Sequence, residues 1–345
     1  MPRATTLMFL AIMSACAPVA ERDMSERDVT DIYWIDVDGG AATLIVTPAG
    51  ESILIDSGEN KDSHAARMHH VAAEVAGLKQ IDHFIVTHFH GDHWGGTYKL
   101  SQLIPITNIY DHGLVDDPEG VGDGYPELLS LHQKVTRGQS RTVKAGDTFS
   151  LKQSEGLPPV EMLSVASYRK VAPSEQASAA MNPLCADKRD PPDRPEFAPS
   201  LPENAASIAV LFKYGNFRFL DTGDLTWNVE AELVCPSNLV GTVDLFQISH
   251  HGLDASNNTV FVHSIRPRVV VLNNAPRKGA EPVTMQTLNT SPDLETIWQM
   301  YRNVRTGPEL NTDPRFIANK GSESGGEFIK ATIQPDGAFS VQLGE

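Results

Sequence analysis

The stretch that most constrains this chain is THFHGDHWGG, residues 87–96. It places four metal-binding side chains within six positions: His88, His90, Asp92 and His93. Alternate residues of an extended segment point to the same side, so His88 and His90 can bind one ion together. Asp92 and His93 lie past a glycine, where the chain can turn sharply toward a second position nearby. Imidazole and carboxylate ligands suit Zn²⁺, with Fe and Mn as alternatives.

Similar residues end three other apolar stretches, each time beside a glycine. They are Asp56 in LIDSG, Asp224 in LDTGD, and His250 and His251 in ISHHG. A chance cluster of surface histidines would need no such partners. Because the pattern repeats at the ends of buried strands, it favours a metal centre over accidental packing.

The hydrophobic periodicity predicts alternating strands and helices. Strands are expected at 31–37, 42–47, 52–56, 83–87, 106–111, 160–166, 207–214, 217–224, 243–252 and 268–274, and in a closing hairpin around PDG. Helices are expected at 62–76, 124–136, 227–234 and 256–265. His64, His69 and His70 are expected on the surface of the first helix. Residues 168–204, rich in Pro, Ser and charge, are interpreted as a surface insertion in a single domain, 30–345.

Four motifs resemble metallo-β-lactamase-fold hydrolases. They are IDVDGGAATLIVTP, THFHGDHWGG, FLDTGDL and ISHHGLDAS. They are most similar to the branch that contains the hydrolase domain of the DNA-uptake protein ComEC and phosphorylcholine esterases. The resemblance covers residues 30–275 and implies an α/β (α+β) fold, the four-layer αβ/βα sandwich. Two β-sheets would face each other with helices outside and metal ions at one edge.

The same resemblance implies six ligands in two groups. His88 and His90 would bind an ion at position one, Asp92, His93 and His251 would bind an ion at position two, and Asp224 would bridge them. We prefer His251 to His250 because the family's last ligand immediately precedes a glycine, here Gly252. His250 would then line the substrate pocket, and Asp56 would orient the ligands from behind.

One departure from the family concerns position one. Many members carry another histidine on the strand matched here by EMLSVAS, where Ser164 and Ser167 are the only polar candidates. Position one is therefore expected to be more open. His112 in YDHG is an alternative ligand, although a loop histidine near the pocket rim is the favoured interpretation.

The chemistry expected of such a centre is hydrolysis. Two divalent ions lower the pKa of a bridging water, so hydroxide becomes available near neutral pH. Asp92 would orient this hydroxide. Protonation of the leaving group is unassigned, and His250 is a candidate for it because an imidazole can donate a proton near neutral pH. The leading substrate is a phosphoester or phosphodiester. The alternatives are a hydrolase of esters, lactones or amides such as β-lactams, and a non-catalytic binding protein on the same fold.

Charge and the N-terminus limit the partners. The chain has 44 acidic against 28 basic residues and a net charge of −16, which disfavours nucleic acid as a partner. Residues 1–23 resemble a signal peptide, and MSAC resembles a lipobox with Cys16 as the lipidated residue. The alternatives are an ordinary cleaved signal and a start at Met24. We expect export to the periplasm or outside, with a lipid anchor as the only membrane contact. The spacing of Cys185 and Cys235 does not show whether they pair.

Overall fold

The computed structural model describes residues 27–114, 120–186, 201–305, 310–321 and 325–344. The predicted signal peptide and Cys16 lie outside the described residues, as do residues 187–200 of the insertion. Among the described residues, no helix is both long and apolar enough to cross a membrane.

The described chain forms two eight-stranded sheets. The strands are β1 (Thr30–Trp34), β2 (Thr43–Val46), β3 (Ser52–Ile55), β4 (Ile81–Ile85), β5 (Ile106–Asp111), β6 (Arg141–Thr142), β7 (Val160–Ser167), β8 (Lys170–Val171), β9 (Ala209–Tyr214), β10 (Phe217–Asp221), β11 (Leu245–Gln247), β12 (Val269–Leu272), β13 (Thr296–Tyr301), β14 (Ile317–Asn319), β15 (Phe328–Ile333) and β16 (Phe339–Gly344). The first sheet has the order β16-β15-β1-β2-β3-β4-β5-β6, and the second has the order β14-β13-β12-β11-β10-β9-β7-β8.

The α-helices cover the outer faces of the sheets. They are α1 (Asp62–His69), α2 (Gly91–Trp94), α3 (Thr97–Ser101), α4 (Tyr125–Thr136), α5 (Trp227–Val234), α6 (Thr259–Ile265) and α7 (Pro282–Asn289). A π-helix, His70–Val75, continues α1. Together α1 and this π-helix bury a stripe of apolar side chains, which explains the helical period of the sequence: Ala65, Met68, Val71 and Ala72.

Three hydrophobic clusters separate the layers. The cluster between the sheets includes Trp34 and Phe219, whose rings meet edge to face with centroids 5.7 Å apart. A second cluster joins Met68 of α1 to Phe84 of the first sheet. The third joins the second sheet to α5, α6 and α7. The layers therefore run helix, sheet, sheet, helix, which confirms the predicted four-layer sandwich.

Strand direction explains why the polar loops meet at one edge. Strands β3, β4 and β5 are parallel neighbours in the first sheet, and β10, β11 and β12 are parallel neighbours in the second. The short apolar sequence VVVL of β12 is buried on both faces. Loops that follow parallel strands emerge at the same end, so the loops after β3, β4, β10 and β11 lie close together.

Three sequence expectations need correction or addition. His64 is fully buried and not on the helix surface: its Nε2 lies 3.0 Å from Asp38 Oδ2, and its Nδ1 accepts a hydrogen bond from the backbone N–H of Glu59. Strands β13 and β14 and helix α7 occupy a region in which no element was predicted. Parts of the insertion belong to the fold, since β8 pairs with β7 and Cys185 forms a disulfide with Cys235.

Candidate metal centre

The loops at this edge bring together all six predicted ligand side chains. Position one combines two residues of the loop after β4 with one residue of the loop after β10: His88, His90 and Asp224. Position two combines two residues from α2 with one residue that follows β11: Asp92, His93 and His251. Within each position, the ligand atoms all lie within 4.8 Å of one another.

At position one, two imidazole nitrogens face each other. His88 Nε2 lies 3.0 Å from His90 Nδ1 and 3.8 Å from Asp224 Oδ2. The other ring nitrogens have partners: His90 Nε2 lies 2.7 Å from the carbonyl oxygen of Gly120, and His88 Nδ1 lies 3.1 Å from Thr87 Oγ1. Because the carbonyl can only accept, His90 donates through Nε2, which leaves its Nδ1 lone pair directed at position one when the ring is neutral.

At position two, three polar atoms converge. His93 Nε2 lies 3.2 Å from His251 Nε2, and Asp92 Oδ2 lies 3.4 Å from His251 Nε2. Asp92 Oδ2 also contacts the ammonium group of Lys278, which donates to the carbonyl oxygen of Gly39 at 2.9 Å. Lys278 therefore places a positive charge at the edge of position two.

Asp224 lies between the two positions. Its Oδ2 is 3.2 Å from His93 Nε2 and 3.5 Å from His251 Nε2, in addition to its approach to His88. Burial alone would raise the pKa of Asp224, yet the neighbouring His93 and His251 hold it well below its usual value. Among the described residues, Asp224 Oδ1 has no hydrogen-bond partner. The Asp224 carboxylate thus lies near the ligands of both positions, and its Oδ1 is available to bind an ion.

Asp56 holds His93 from behind. Its Oδ2 lies 2.7 Å from His93 Nδ1 and also accepts from Thr87 Oγ1, while its Oδ1 accepts from the backbone N–H of Thr87. His93 therefore presents Nε2 to the centre, the arrangement typical of a carboxylate–histidine–metal set. Burial would lower the pKa of His93, but the carboxylates of Asp224 and Asp56 raise it well above its usual value. The surroundings of the His93 ring therefore favour a positive charge.

A strained turn carries the two adjacent histidines. His250 and His251 both have left-handed backbones, with φ of 54° and 56°. The loop that follows is held by the buried Glu230 carboxylate, which accepts from the backbone N–H groups of Asn257 and Asn258 at 2.8 and 2.9 Å. This turn lets the His250 and His251 rings point in different directions, with their centroids 6.2 Å apart.

His250 lies at the side of the centre near position one. Its Nε2 is 3.5 Å from Asp224 Oδ2 and 3.4 Å from Asn204 Nδ2, and its Nδ1 is 3.2 Å from Ser256 Oγ. Burial lowers the pKa of His250 to about 4, so its ring is neutral at pH 7. A neutral ring does not fit the expected role of a protonated acid, and it fits a hydrogen-bond partner of the substrate better.

The residues considered in place of the missing histidine point elsewhere. The Ser164 hydroxyl donates to the carbonyl oxygen of Ala166, and the Ser167 hydroxyl donates to that of Val143. His112 Nε2 lies 2.9 Å from the buried carboxylate of Glu203, which also accepts from the backbone N–H of Phe89, between His88 and His90. His112 is therefore a buried support of this loop and not a rim histidine.

Sequence reasoning missed three residues of the site: Glu203, Asn204 and Lys278. Glu203 and Asn204 lie at the end of the predicted surface insertion, yet both are buried against the centre. Lys278 follows β12 in a loop that contacts Gly39. The only sequence signal was an Asn and a Glu just before an apolar strand, which is equally typical of a turn.

The donor set fits divalent ions. Imidazole nitrogens and carboxylate oxygens are the usual ligands of Zn²⁺ and also suit Fe and Mn. Two pairs of imidazole nitrogens face each other: His88 Nε2 with His90 Nδ1, and His93 Nε2 with His251 Nε2. Each pair has room for at most one proton between its nitrogens. A cation bound beside each pair would accept the lone pairs of both nitrogens. The α/β sandwich thus brings two groups of candidate metal ligands together between loops of opposing sheets.

Comparison with known proteins gives a partial match to one family. Residues 35–167 match the model of the metallo-beta-lactamase superfamily. A "UPF0173 metal-dependent hydrolase" from Cupriavidus metallidurans is 34% identical over 107 residues, 30% of each chain. An "atrochrysone carboxyl ACP thioesterase" from Cryptosporiopsis sp. is 32% identical over 87 residues, 25% of this chain and 26% of that one. The chain thus spans less than a third of either relative. Among solved structures, the diiron β-hydroxylase CmlA of Streptomyces venezuelae aligns with 15% identity and a TM-score of 0.41, over 71% of this chain and 44% of that one.

Proposed function

We propose that this protein is a binuclear metal-dependent hydrolase that acts on a phosphoester or phosphodiester. The observation that carries the proposal is the pair of three-residue groups that converge on the Asp224 carboxylate. Each group could hold one ion, and the Asp224 carboxylate lies near the ligands of both groups. Zn²⁺ is the favoured ion, with Fe and Mn as alternatives.

The roles of the side chains follow from their contacts. When bound, the ions would supply hydroxide near neutral pH and offset negative charge that develops on the substrate. Asp92 would orient the attacking oxygen, and Asp56 would keep His93 in its binding tautomer. The neutral His250 ring would contact a substrate oxygen or the leaving group.

Lys278 supports an anionic substrate. The protein as a whole is acidic, with a net charge of −16, yet this ammonium group lies against Asp92 with its side chain 38% exposed. It can therefore reach both position two and a bound molecule. A phosphoryl group in contact with both ions would find a third positive charge there.

A second candidate is the hydrolysis of a carboxylic ester, thioester, lactone or amide. The relative named as a thioesterase favours it, because that protein shares 87 aligned residues with this chain. The same ions would polarise a carbonyl oxygen as readily as a phosphoryl oxygen. A binding protein without catalysis is less favoured because all six ligand positions are filled.

The direct test combines metal analysis with a substrate panel. Purified wild-type protein is expected to carry close to two ions, and Asp224→Ala is expected to lose metal and activity together. Phosphodiester turnover should exceed the turnover of lactone and cephalosporin substrates under the same conditions. Active protein without metal would contradict the centre, and faster lactone or β-lactam turnover would contradict the substrate assignment.

Replacing each of the two adjacent histidines by alanine, one at a time, separates their roles. His251→Ala is expected to lose the ion at position two, because its Nε2 is within 3.5 Å of both Asp92 and Asp224. His250→Ala is expected to keep the metal content and reduce turnover. If His250→Ala loses metal and His251→Ala keeps it, the ligand assignment is reversed.

We also propose that the protein is exported and that Cys16 is acylated. The Cys185–Cys235 disulfide supports export, since disulfides persist mainly in oxidising compartments. Labelling with a lipid precursor should give a signal that Cys16→Ser abolishes. Full-length protein that retains Met1 in the cytosol would refute export.

A further inference from the structure

The turn that carries Lys278 rests on a loop of the other sheet. Residues 274–279 follow β12, and the backbone N–H groups of Ala275 and Lys278 each donate to the carbonyl oxygen of the other residue. The Lys278 ammonium group lies against Asp92 and donates to the carbonyl oxygen of Gly39 at 2.9 Å. A Cβ added to Gly39 would lie 2.4 Å from Ala275 Cβ. The place of the ammonium group therefore depends on how this turn and the loop after β1 are held together.

Tyr301, the last residue of β13, contacts both the turn and the loop. Its backbone makes two hydrogen bonds with the side chain of Asn274, where the turn begins: its N–H donates to Oδ1 at 3.3 Å, and its carbonyl oxygen accepts from Nδ2 at 2.8 Å. Its buried hydroxyl donates to the carboxylate of Asp36, whose oxygens lie 2.8 and 2.9 Å away. Asp36 precedes Gly39 in the loop after β1. One residue of the second sheet thus connects the Lys278 turn to the first sheet.

The residues that follow Tyr301 hold the other end of the turn. Asn303 Nδ2 donates to the carbonyl oxygen of Gly279 at 3.1 Å, and the Arg305 guanidinium donates to the same oxygen at 2.7 Å. Arg305 also pairs with Glu281 at 2.8 Å. These contacts come from every second residue, the spacing of side chains on one side of a strand. The segment 301–305 is therefore a brace along the Lys278 turn.

We propose that Tyr301 is a positioning residue that acts through Lys278. It keeps the ammonium group at the edge of position two, where this group binds an oxygen of an anionic substrate. The inference rests on the proposed function and adds to it a device, outside the candidate metal ligands, that orders the cation. A free lysine side chain loses much conformational freedom when it binds, whereas one held in place beforehand loses little.

Binding of inorganic phosphate to the zinc-loaded full chain tests this without reference to turnover. Calorimetry compares wild type, Lys278→Met, Tyr301→Phe and the double variant. Phosphate affinity should fall about tenfold in Lys278→Met, which loses a charge, and about threefold in Tyr301→Phe, which loses one hydrogen bond. The double variant should bind phosphate as weakly as Lys278→Met and no more weakly, because Tyr301 acts only through Lys278. The zinc affinity of Tyr301→Phe should equal that of wild type.

Tyr33→Phe is the matched control. Tyr33 is as buried as Tyr301, and its hydroxyl also meets an aspartate, Asp31 Oδ2 at 3.2 Å, but it lies in β1. It should lose a similar part of the free energy of unfolding and keep the phosphate affinity of wild type. If Tyr33→Phe weakens phosphate binding as much as Tyr301→Phe does, the effect is a general loss of stability and the proposal is wrong.

The rival role for Tyr301 is support of Asp92, because the backbone N–H of Ala41, in the same loop, donates to the Asp92 carbonyl oxygen at 3.1 Å. In that case Tyr301→Phe would weaken zinc binding, and its effect on phosphate would add to that of Lys278→Met. Either result overturns the proposal, as does an unchanged phosphate affinity in Tyr301→Phe.

A second variant covers the case in which Tyr301→Phe does not fold. Asn303→Ala removes the amide that donates to Gly279, so it should weaken phosphate binding in wild type and not in Lys278→Met. Equal effects in both backgrounds would overturn the proposal. Wild type that carries zinc and binds no phosphate would also overturn it and would leave the metal centre intact. Wild type that carries no zinc would instead contradict the proposed function.

Discussion

Asp56 is the residue on which the orientation of His93 depends. Its carboxylate accepts from His93 Nδ1 and twice from Thr87, so each of its oxygens is in use. In Asp56→Asn the new amide N–H group must face one of these donors. We expect the affinity of position two to fall on the order of 10–100-fold, as for other residues that support a ligand histidine.

The measurement is a competition between the protein and a chelator for Zn²⁺, with Asp62→Asn as the control. Asp62 is also an aspartate, at the start of α1, but its side chain is 91% exposed. An unchanged affinity in Asp56→Asn would show that His93 keeps its tautomer without this carboxylate.

Lys278 provides a second prediction at this scale. Its ammonium group contacts Asp92 and the carbonyl oxygen of Gly39. Lys278→Met keeps most of the apolar stem and removes the charge. We expect KM for a phosphodiester to rise about tenfold, equivalent to ~1.4 kcal/mol, with a smaller change for a neutral ester. Equal effects on both substrates would mean that Lys278 supports Asp92 and does not bind the anion.

Some residues of the centre could be predicted from the sequence because their geometry is local. His88 and His90 are two positions apart in an extended segment, and His93 follows within one turn of helix. Asn204 and Lys278 could not be predicted in this way. Lys278 reaches Asp92 across 186 positions of the chain, and its contact depends on how two loops from different sheets approach.

The turn after β11 is the element under the tightest constraint. Gly279 has φ +77°, and a Cβ at this position would lie 1.9 Å from the carbonyl oxygen of His251. Gly279→Ala must therefore displace the turn that carries a predicted ligand. We expect it to lower both the melting temperature and the affinity of position two.

Gly138→Ala is the control that separates the clash with the His251 carbonyl oxygen from the cost of a left-handed backbone in alanine. Gly138 has a similar φ of +71°, but nothing lies within 4 Å of its added Cβ. It should lose only about 1 kcal/mol of the free energy of unfolding, the usual cost of a left-handed alanine. Gly279→Ala that behaves like Gly138→Ala would show that the turn adapts without loss.

Elements with strong local patterns were predicted and confirmed, whereas elements defined by their neighbours were not. VVVL in β12 is apolar throughout, as a strand buried on both faces must be. β14 has only three residues, Ile317–Asn319, and is a strand because it pairs with β13. Such a segment has no period of its own, so tertiary pairing decides its state. The buried end of the insertion was missed for the same reason, since the hydrogen bond from Asn204 Nδ2 to Asp224 forms only where two distant loops meet.

The described part of the molecule has two sheets between layers of helices, and the predicted ligands come from loops of both sheets. His88, His90 and His93 follow a strand of the first sheet, while Asp224 and His251 follow strands of the second. Bound ions would therefore join the halves of the sandwich at one edge. A hydrophobic cluster between the sheets joins them elsewhere, so the fold is expected to survive without metal, at lower stability.

Chelation should accordingly lower the melting temperature in a way that depends on free metal. A ligand that binds only the folded state stabilises it by about 2.7 kcal/mol at 100 times its Kd. We therefore expect a fall of several degrees when a chelator removes the ions, recovered when Zn²⁺ is restored. Asp224→Ala removes the residue shared by both positions, so it should melt near the temperature of chelated wild type and respond little to chelator or Zn²⁺. Wild type that melts at the same temperature with and without metal would mean that the ions do not link the two sheets.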